Sequence, residues 1–242
     1  MSEGQETRID PTAAVDRGAR IGSGSQVGPY CRIGAGVRVG DNCRLLSHVV
    51  LDGDLTIGND CTIYPFACLG LRTQDLKYAG GVGRVTVGCG TTVREYVTIH
   101  QPTCGNGLTA VGDNCSLLAY SHVAHDCVVG NGVIMSNAAM LGGHVLVEDC
   151  AIIGGITGVH QFTRVGTMAM VGACSKLTQD ALPFTLCDGN PAVPHGINRI
   201  GMQRNGKTIG QIRAVTDAYR ILFRSGLSYE DAAAHLQATA DS

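Results

Sequence analysis

Aliphatic residues recur every six positions along most of this chain. Ile9, Val15, Ile21, Val27, Ile33, Val39, Leu45, Leu51, Ile57, Ile63 and Leu69 share one register. The register resumes at Val87, Val93 and Ile99, and it runs again from Val111 to Leu177. Neither the helix period of about 3.6 nor the strand period of about 2 accounts for this spacing. A short fixed repeat signals a solenoid, and the hexapeptide class signals a parallel β-helix. Each hexad supplies a short strand and a turn. Three hexads close a triangular coil of about 18 residues, whose inward aliphatics stack about 4.8 Å apart along the prism axis. Glycine often follows the aliphatic, and the expectation is that it carries the unusual backbone angles of the corner.

The fourth residue after each aliphatic is nearly always small: Ala13, Ala19, Ser25, Cys31, Val37, Cys43, Val49, and later Cys115, Ser121, Cys127, Val133 and Ala139. A core of small residues suits a chain with no tryptophan and 34 glycines in 242 residues. It also assigns Cys31, Cys43, Cys61, Cys115 and Cys127 to packing, since buried cysteine behaves as a small hydrophobe. The 11 cysteines include no C-x-x-C pair, so a zinc ribbon or thiol redox motif is not expected.

Two stretches break the repeat, near 71–84 and 101–108. A solenoid expels such insertions as surface loops, which often line binding faces. The expected organisation is a β-helix over 1–182, a Pro/Gly-rich connector over 183–206, and a helical region over 207–242. Ile209, Ile212, Val215, Tyr219 and Leu222 fall at helical spacing, with Thr208 and Gln211 as a capping box. Gly226 ends that helix, and Ser228 with Asp231 begins another.

No Lys or Arg lies between Arg94 and Arg164, yet this region holds S-H-V-A-H-D-C at 121–127. The coil length acts as a ruler. It places Asp126 and His144 in one column, and it stacks Gly143 over His125 and Gln161 over Gly143. His160 adjoins Gln161, and His122 precedes the same corner. Several histidines converging on one prism edge suit proton transfer near neutral pH. The adjacent Asp126 can fix the His125 tautomer, and the Gly143 N–H can face a developing oxyanion. This constellation fits acyl transfer to a hydroxyl. Histidines five residues apart, as in the trimeric β-helix carbonic anhydrases, do not occur, so no metal is expected.

Residues 160–224 carry eight Lys/Arg against three Asp/Glu, although the whole chain has a formal net charge of −2. This basic region suits an anionic partner, either an acidic carrier protein or a nucleotide diphosphate. No basic patch is interleaved with aromatics, so nucleic acid is not expected. The N-terminus lacks a signal pattern and no run is long and apolar enough to span a bilayer. The expectation is a cytoplasmic protein with no stable membrane insertion.

The motifs S-H-V-V-L-D-G (47–53), Q-D-L-K-Y-A-G (74–80), V-T-I-H (97–100), H-V-A-H-D-C-V-V-G-N (122–131), I-I-G-G-I-T-G-V-H-Q-F (152–162), G-N-P-A (189–192) and G-I-N (196–198) resemble the UDP-N-acetylglucosamine 3-O-acyltransferase family. The resemblance spans nearly the whole chain. It implies a mainly β fold, a left-handed parallel β-helix of hexapeptide repeats with a small C-terminal helical appendage, which is an exception to the usual crossover hand. It implies a homotrimer with active sites between subunits. The family reaction moves a (3R)-hydroxyacyl group from acyl carrier protein to the sugar 3-hydroxyl, opening lipid A synthesis, with no cofactor. His125 would be the general base, Asp126 its orienter and Gly143 the oxyanion donor. Asp75, Lys77 and His100 would meet the substrate from the neighbouring subunit. His122, His144, His160, Gln161, Asn198 and Arg204 would hold sugar, nucleotide or pantetheine. Met168, Met170 and Ala173 would measure acyl length.

The chain departs from its relatives at Gln101-Pro102, where Arg-Gly is common, and at Asn205 and Ile200, where a second arginine and an acidic residue are common. Two acceptors remain open: UDP-N-acetylglucosamine and its 3-amino counterpart. The related N-acyltransferase carries an extra domain before its repeats, and hexads beginning at Ile9 leave no place for one. A non-catalytic hexapeptide scaffold would need neither His125-Asp126 nor Q-D-L-K-Y-A-G.

Overall fold

Three sheets of eleven, nine and eight strands, parallel except for the last strand of the first, form the sides of a triangular prism in the computed structural model, which describes residues 6–240. The ends of the expected segments, residues 1–5 and 241–242, lie outside the described residues. Most strands are two residues long, one pointing out and the hexad aliphatic pointing in. Ile9 pairs with Val27, Val123 with Leu141, and Val147 with Val165, so each aliphatic meets its equivalent on the next coil. The two loops lengthen single coils without disturbing that match, as Ile63↔Val93 and Ile99↔Val123 show.

The interior is one continuous stack that includes Ile33, Leu51, Ile63, Leu117, Met135, Leu141 and Ile153. Each such burial contributes about 1.5–3 kcal/mol before chain entropy is subtracted. Cys31, Cys43, Cys61, Cys115 and Cys127 are all buried. Their thiols donate to carbonyls of the following coil, as Cys31 Sγ does to Leu46 O at 2.7 Å and Cys127 Sγ to Gly142 O at 3.0 Å.

The corners differ from the sequence expectation. Glycines directly after the aliphatic, such as Gly40 and Gly130, do not carry positive φ, Gly70 at the first insertion excepted. They are required because the next coil passes close by: a Cβ on Gly40 would lie 2.4 Å from Asn59 Oδ1. The left-handed angle falls two residues later, mostly on residues with side chains, including Asn42, Asp60, Asp126, His144 and Phe162. The N–H of such a residue donates to the preceding coil, as His144 N does to His125 O and Phe162 N to Gly143 O. That bond offsets the steric cost of positive φ. Side chains at these positions project outward in columns, and the rings of Tyr30, His48, Phe66, Tyr96 and Tyr120 stack 4.8–5.1 Å apart down one corner.

Residues 183–206 are more ordered than a connector. Thr185–Gly189 and Ala192–Ile197 form an antiparallel hairpin whose first strand extends the first sheet through Val171↔Cys187. The short helix α1 (Arg199–Arg204) follows, capped by Asn198 Oδ1 accepting from Gly201 N at 3.0 Å. Helix α2 (Ile209–Arg224) begins with the capping box of Thr208 and Gln211. It rests on the hairpin, where the Tyr219 hydroxyl donates to Pro194 O at 3.2 Å. Helix α3 (Tyr229–Ala240) starts at Ser228, whose hydroxyl accepts from Asp231 N. No helix among the described residues is long and apolar enough to cross a membrane.

Candidate active site

His125 and Asp126 occupy the corner between the second and third sheets. His122–Val123 is a strand of the second and Val128–Val129 a strand of the third. Asp126 takes the left-handed corner conformation, and its N–H donates to Thr109 Oγ1 at 2.9 Å. That turn folds its carboxylate back onto the preceding imidazole, and His125 Nδ1 lies 2.9 Å from Asp126 Oδ2. A carboxylate oxygen accepts, so Nδ1 carries the proton and Nε2 keeps its lone pair. This tautomer suits a general base.

The next coil supplies floor and wall. Gly143 lies directly beneath the His125 ring. Its N–H makes no hydrogen bond among the described residues. His144 meets His125 edge to face, with ring centroids 5.2 Å apart, and its Nε2 lies 3.8 Å from Asp126 Oδ2. Phe162, one coil further in the same column, stacks flat on His144 at 4.7 Å.

The two insertions close over this corner. Loop 72–83 brings Asp75 Oδ2 to 4.0 Å from His125 Nε2. The Lys77 N–H is the main group holding the Asp75 carboxyl below its usual range; the Thr103 hydroxyl and the charges of His125 and Lys77 assist, and partial desolvation opposes them. Within the single chain, Asp75 lies beside His125. Loop 72–83 is folded back along its own prism edge by contact with residues 101–107. The Lys77 side chain is exposed.

His100 and His122 form a second pair one step away, with rings edge to face at 4.9 Å. His122 Nδ1 shares a 2.7 Å hydrogen bond with Thr98 Oγ1. Burial, with the nearby His100 and His125, pushes the His122 pKa down to about 4. Burial and His125 lower that of His100. Both rings are therefore neutral at physiological pH.

One coil beyond Gly143, His160 and Gln161 are exposed, and His160 Nδ1 bonds locally to Gln161 O at 3.0 Å. Met170, Asn198 and Arg204 line an apolar groove of about 790 Å³ between the first sheet and α1, with Ile134, Ile152 and Leu186. Met168 is buried outside that lining, its carbonyl accepting from Asn198 Nδ2 at 2.9 Å. Ala173 is exposed and does not line the groove.

Sequence reasoning missed Phe162, Thr103 and the groove wall. The coil ruler reveals Phe162 one coil beyond His144, and likewise Ile134, Ile152 and Met170 as outward residues of one column. Thr103 leaves no such signal, because it sits in an insertion that obeys no repeat.

His125, Asp126 and His144 bring a donor atom each within 4.8 Å of one another. Asp126 Oδ2, however, is already shared by His125 Nδ1–H and the Thr103 N–H. In this structure the group is a hydrogen-bonded relay, and it suits moving a proton at His125 Nε2.

Comparison with known proteins agrees with this geometry. Residues 180–242 match a family described as UDP N-acetylglucosamine O-acyltransferase, domain 2, and residues 18–53 match the bacterial transferase hexapeptide family. A protein of Verminephrobacter eiseniae named acyl-(acyl-carrier-protein)–UDP-N-acetylglucosamine O-acyltransferase is 45% identical, the match covering 97% of this chain and 93% of that protein. The crystal structure of UDP-N-acetylglucosamine O-acyltransferase from Moraxella catarrhalis superposes with a TM-score of 0.93 at 39% identity, covering 96% of this chain and 91% of that one. The Acinetobacter baumannii structure gives 0.91 at 38% identity, over 95% and 89%. With a relative this similar over nearly its whole length, the chain belongs to the family of UDP-N-acetylglucosamine O-acyltransferases.

Proposed function

We propose that this acyltransferase moves a (3R)-hydroxyacyl group from acyl carrier protein to the 3-hydroxyl of UDP-N-acetylglucosamine, with His125 as general base. The observation that carries the reading is the His125–Asp126 bond, which leaves Nε2 free above Gly143. Nε2 takes the hydroxyl proton as the oxygen attacks the thioester carbonyl carbon. The Gly143 N–H donates to the oxyanion. The C–S bond then breaks, and the pantetheine thiol leaves with the proton from Nε2. Asp126 offsets the positive charge that His125 carries between these steps.

The apolar groove suits the acyl chain, with Met170 in its wall. It lies on the first sheet, whereas His125 lies at the corner of the second and third. The prism separates the two within one chain. A neighbouring copy is therefore needed to bring a groove to each base, in keeping with a homotrimer. Arg199, Arg213 and Arg220, the last paired with Asp217, line a depression against α2 and leave a net positive charge for an acidic carrier. The reaction stands at the first step of lipid A synthesis and requires no cofactor from the protein.

The test is a transfer assay with UDP-N-acetylglucosamine and carrier proteins loaded with (3R)-hydroxyacyl chains of different lengths. Product that disappears in a folded His125→Ala variant supports the reading. Undiminished product in that variant removes His125 as the base. Product only with the 3-amino sugar replaces the acceptor.

A further inference from the structure

The carboxylates on either side of His125 come from separate parts of the chain, Asp126 from the prism and Asp75 from the long loop. One residue touches both. The Thr103 N–H donates to Asp126 Oδ2 at 3.0 Å, and the Thr103 hydroxyl donates to Asp75 Oδ2 at 3.1 Å. Thr103 is held firmly enough to aim these bonds. Gln101 before it is buried, its Nε2 donating to Gly70 O and its N–H to Leu71 O, at 2.7 and 2.8 Å. Pro102 is wedged between loops: a Cβ on Gly83 would lie 2.1 Å from its ring, and one on Gly107 2.7 Å. The Gln101-Pro102 departure is thus a clip that sets Thr103 in place.

Two carboxylates flank one imidazole, and only one arrangement leaves a base. Asp126 must accept from Nδ1–H. Asp75 must stay off Nε2, because a carboxylate bonded there requires a proton on that nitrogen. Asp75 Oδ2 stands 4.0 Å away, just beyond a hydrogen bond. The Thr103 hydroxyl is the one hydrogen-bond donor to that oxygen among the described residues.

We propose that Thr103 is a positioning residue that keeps His125 deprotonated at Nε2, by holding Asp75 away from it while bracing Asp126 on the other side. The inference rests on the reading of His125 as the base. The other titratable groups facing His125 are His144 from the next coil, His122 from the strand before the corner, His100 from the preceding coil, and Lys77 beside Asp75. None of them donates to Asp75 Oδ2. Without the hydroxyl, that oxygen turns to Nε2 and stabilises the imidazolium.

The test compares Thr103→Val with Thr103→Ser in the full-length protein by following the His125 imidazole with isotope-labelled histidine NMR. The titration needs no substrate, so it is independent of the assay that tests the base. Thr103→Val should raise the His125 midpoint by about one pH unit, and Thr103→Ser should leave it in place. The acid limb of kcat/KM should move with it, giving a roughly tenfold loss below that midpoint that recovers at higher pH. If Thr103→Val does not fold, Thr103→Ala lacks the same hydroxyl and is read in the same way. An unmoved midpoint in the folded variant overturns the proposal and leaves Thr103 as loop packing. A moved midpoint with catalysis independent of His125 keeps this inference and overturns the reading of the base.

Discussion

The imidazole of His125 lies against Gly143 so closely that a Cβ at that glycine would stand 2.3 Å from His125 Cε1 and 2.4 Å from Nε2. Gly143 has no positive φ, so its backbone accepts other residues. The absence of a side chain is demanded by the ring above it. Gly143→Ala should therefore displace the base by about 1 Å while the prism stays folded, and a shift of that size costs about 10²-fold in rate. Transfer kinetics read beside a thermal melt check this. A variant with near wild-type kcat would show that the ring does not need its observed position.

His122 should make the protein acid-sensitive well above the carboxylate range. Unfolded histidine binds its proton near pH 6.5. Folded His122 does so only at about 4. Between these values the unfolded state holds more protons, so stability rises with pH across the window and falls as pH drops through it. Melts at pH 7 and pH 5 should show the loss, on the order of 2 kcal/mol from His122 at pH 5. His122→Gln should flatten the slope, and an unchanged slope would remove His122 as the cause.

Glu148 should act lower on the scale. Its carboxylate accepts from Thr167 Oγ1 at 2.6 Å, Thr167 N at 2.8 Å and Arg164 Nε at 2.5 Å. The Thr167 hydroxyl is the largest influence holding its pKa below the usual value. The stability this provides is complete above the ordinary glutamate value of about 4.3 and is lost as pH falls through the lower folded value. Glu148→Gln should cost ~1 kcal/mol at pH 7. Urea titrations at pH 7 and pH 3 should find the difference from wild type large at the first and small at the second.

Met170 should set donor length. It projects from the first sheet into the apolar groove beside Ile152 and Leu186. Met170→Gly opens the groove and should favour longer acyl chains; Met170→Trp should favour shorter ones. One to two methylenes correspond to about 10-fold in kcat/KM each way, at ~0.8 kcal/mol per buried methylene. Competition between donors of different lengths measures the preference, and an unmoved preference in both variants would place the chain elsewhere.

The aliphatic hexads settled the prism, its inward residues and the packing role of five cysteines, because a strict period admits one way of stacking identical coils. The coil ruler also brought His125, Asp126, Gly143 and His144 together correctly. It says nothing of residues that leave the repeat. His160 and Gln161 fall in the expected coil and are exposed, as His144 is. The groove needed α1 to lie over the first sheet, which no periodicity encodes.

What the sequence alone determined is therefore the periodic part: strand, corner, core and the vertical order of the site, all following from a six-residue spacing that repeats itself in space. Only the tertiary structure decided which conformation each corner takes, where the two insertions fold, and that Thr103 stands between Asp75 and Asp126. Those depend on contacts between segments with no common period, where Gln101 and Pro102 find their partners in Gly70, Gly83 and Gly107. Such contacts form by shape and hydrogen bonding after the prism exists, and no spacing along the chain records them.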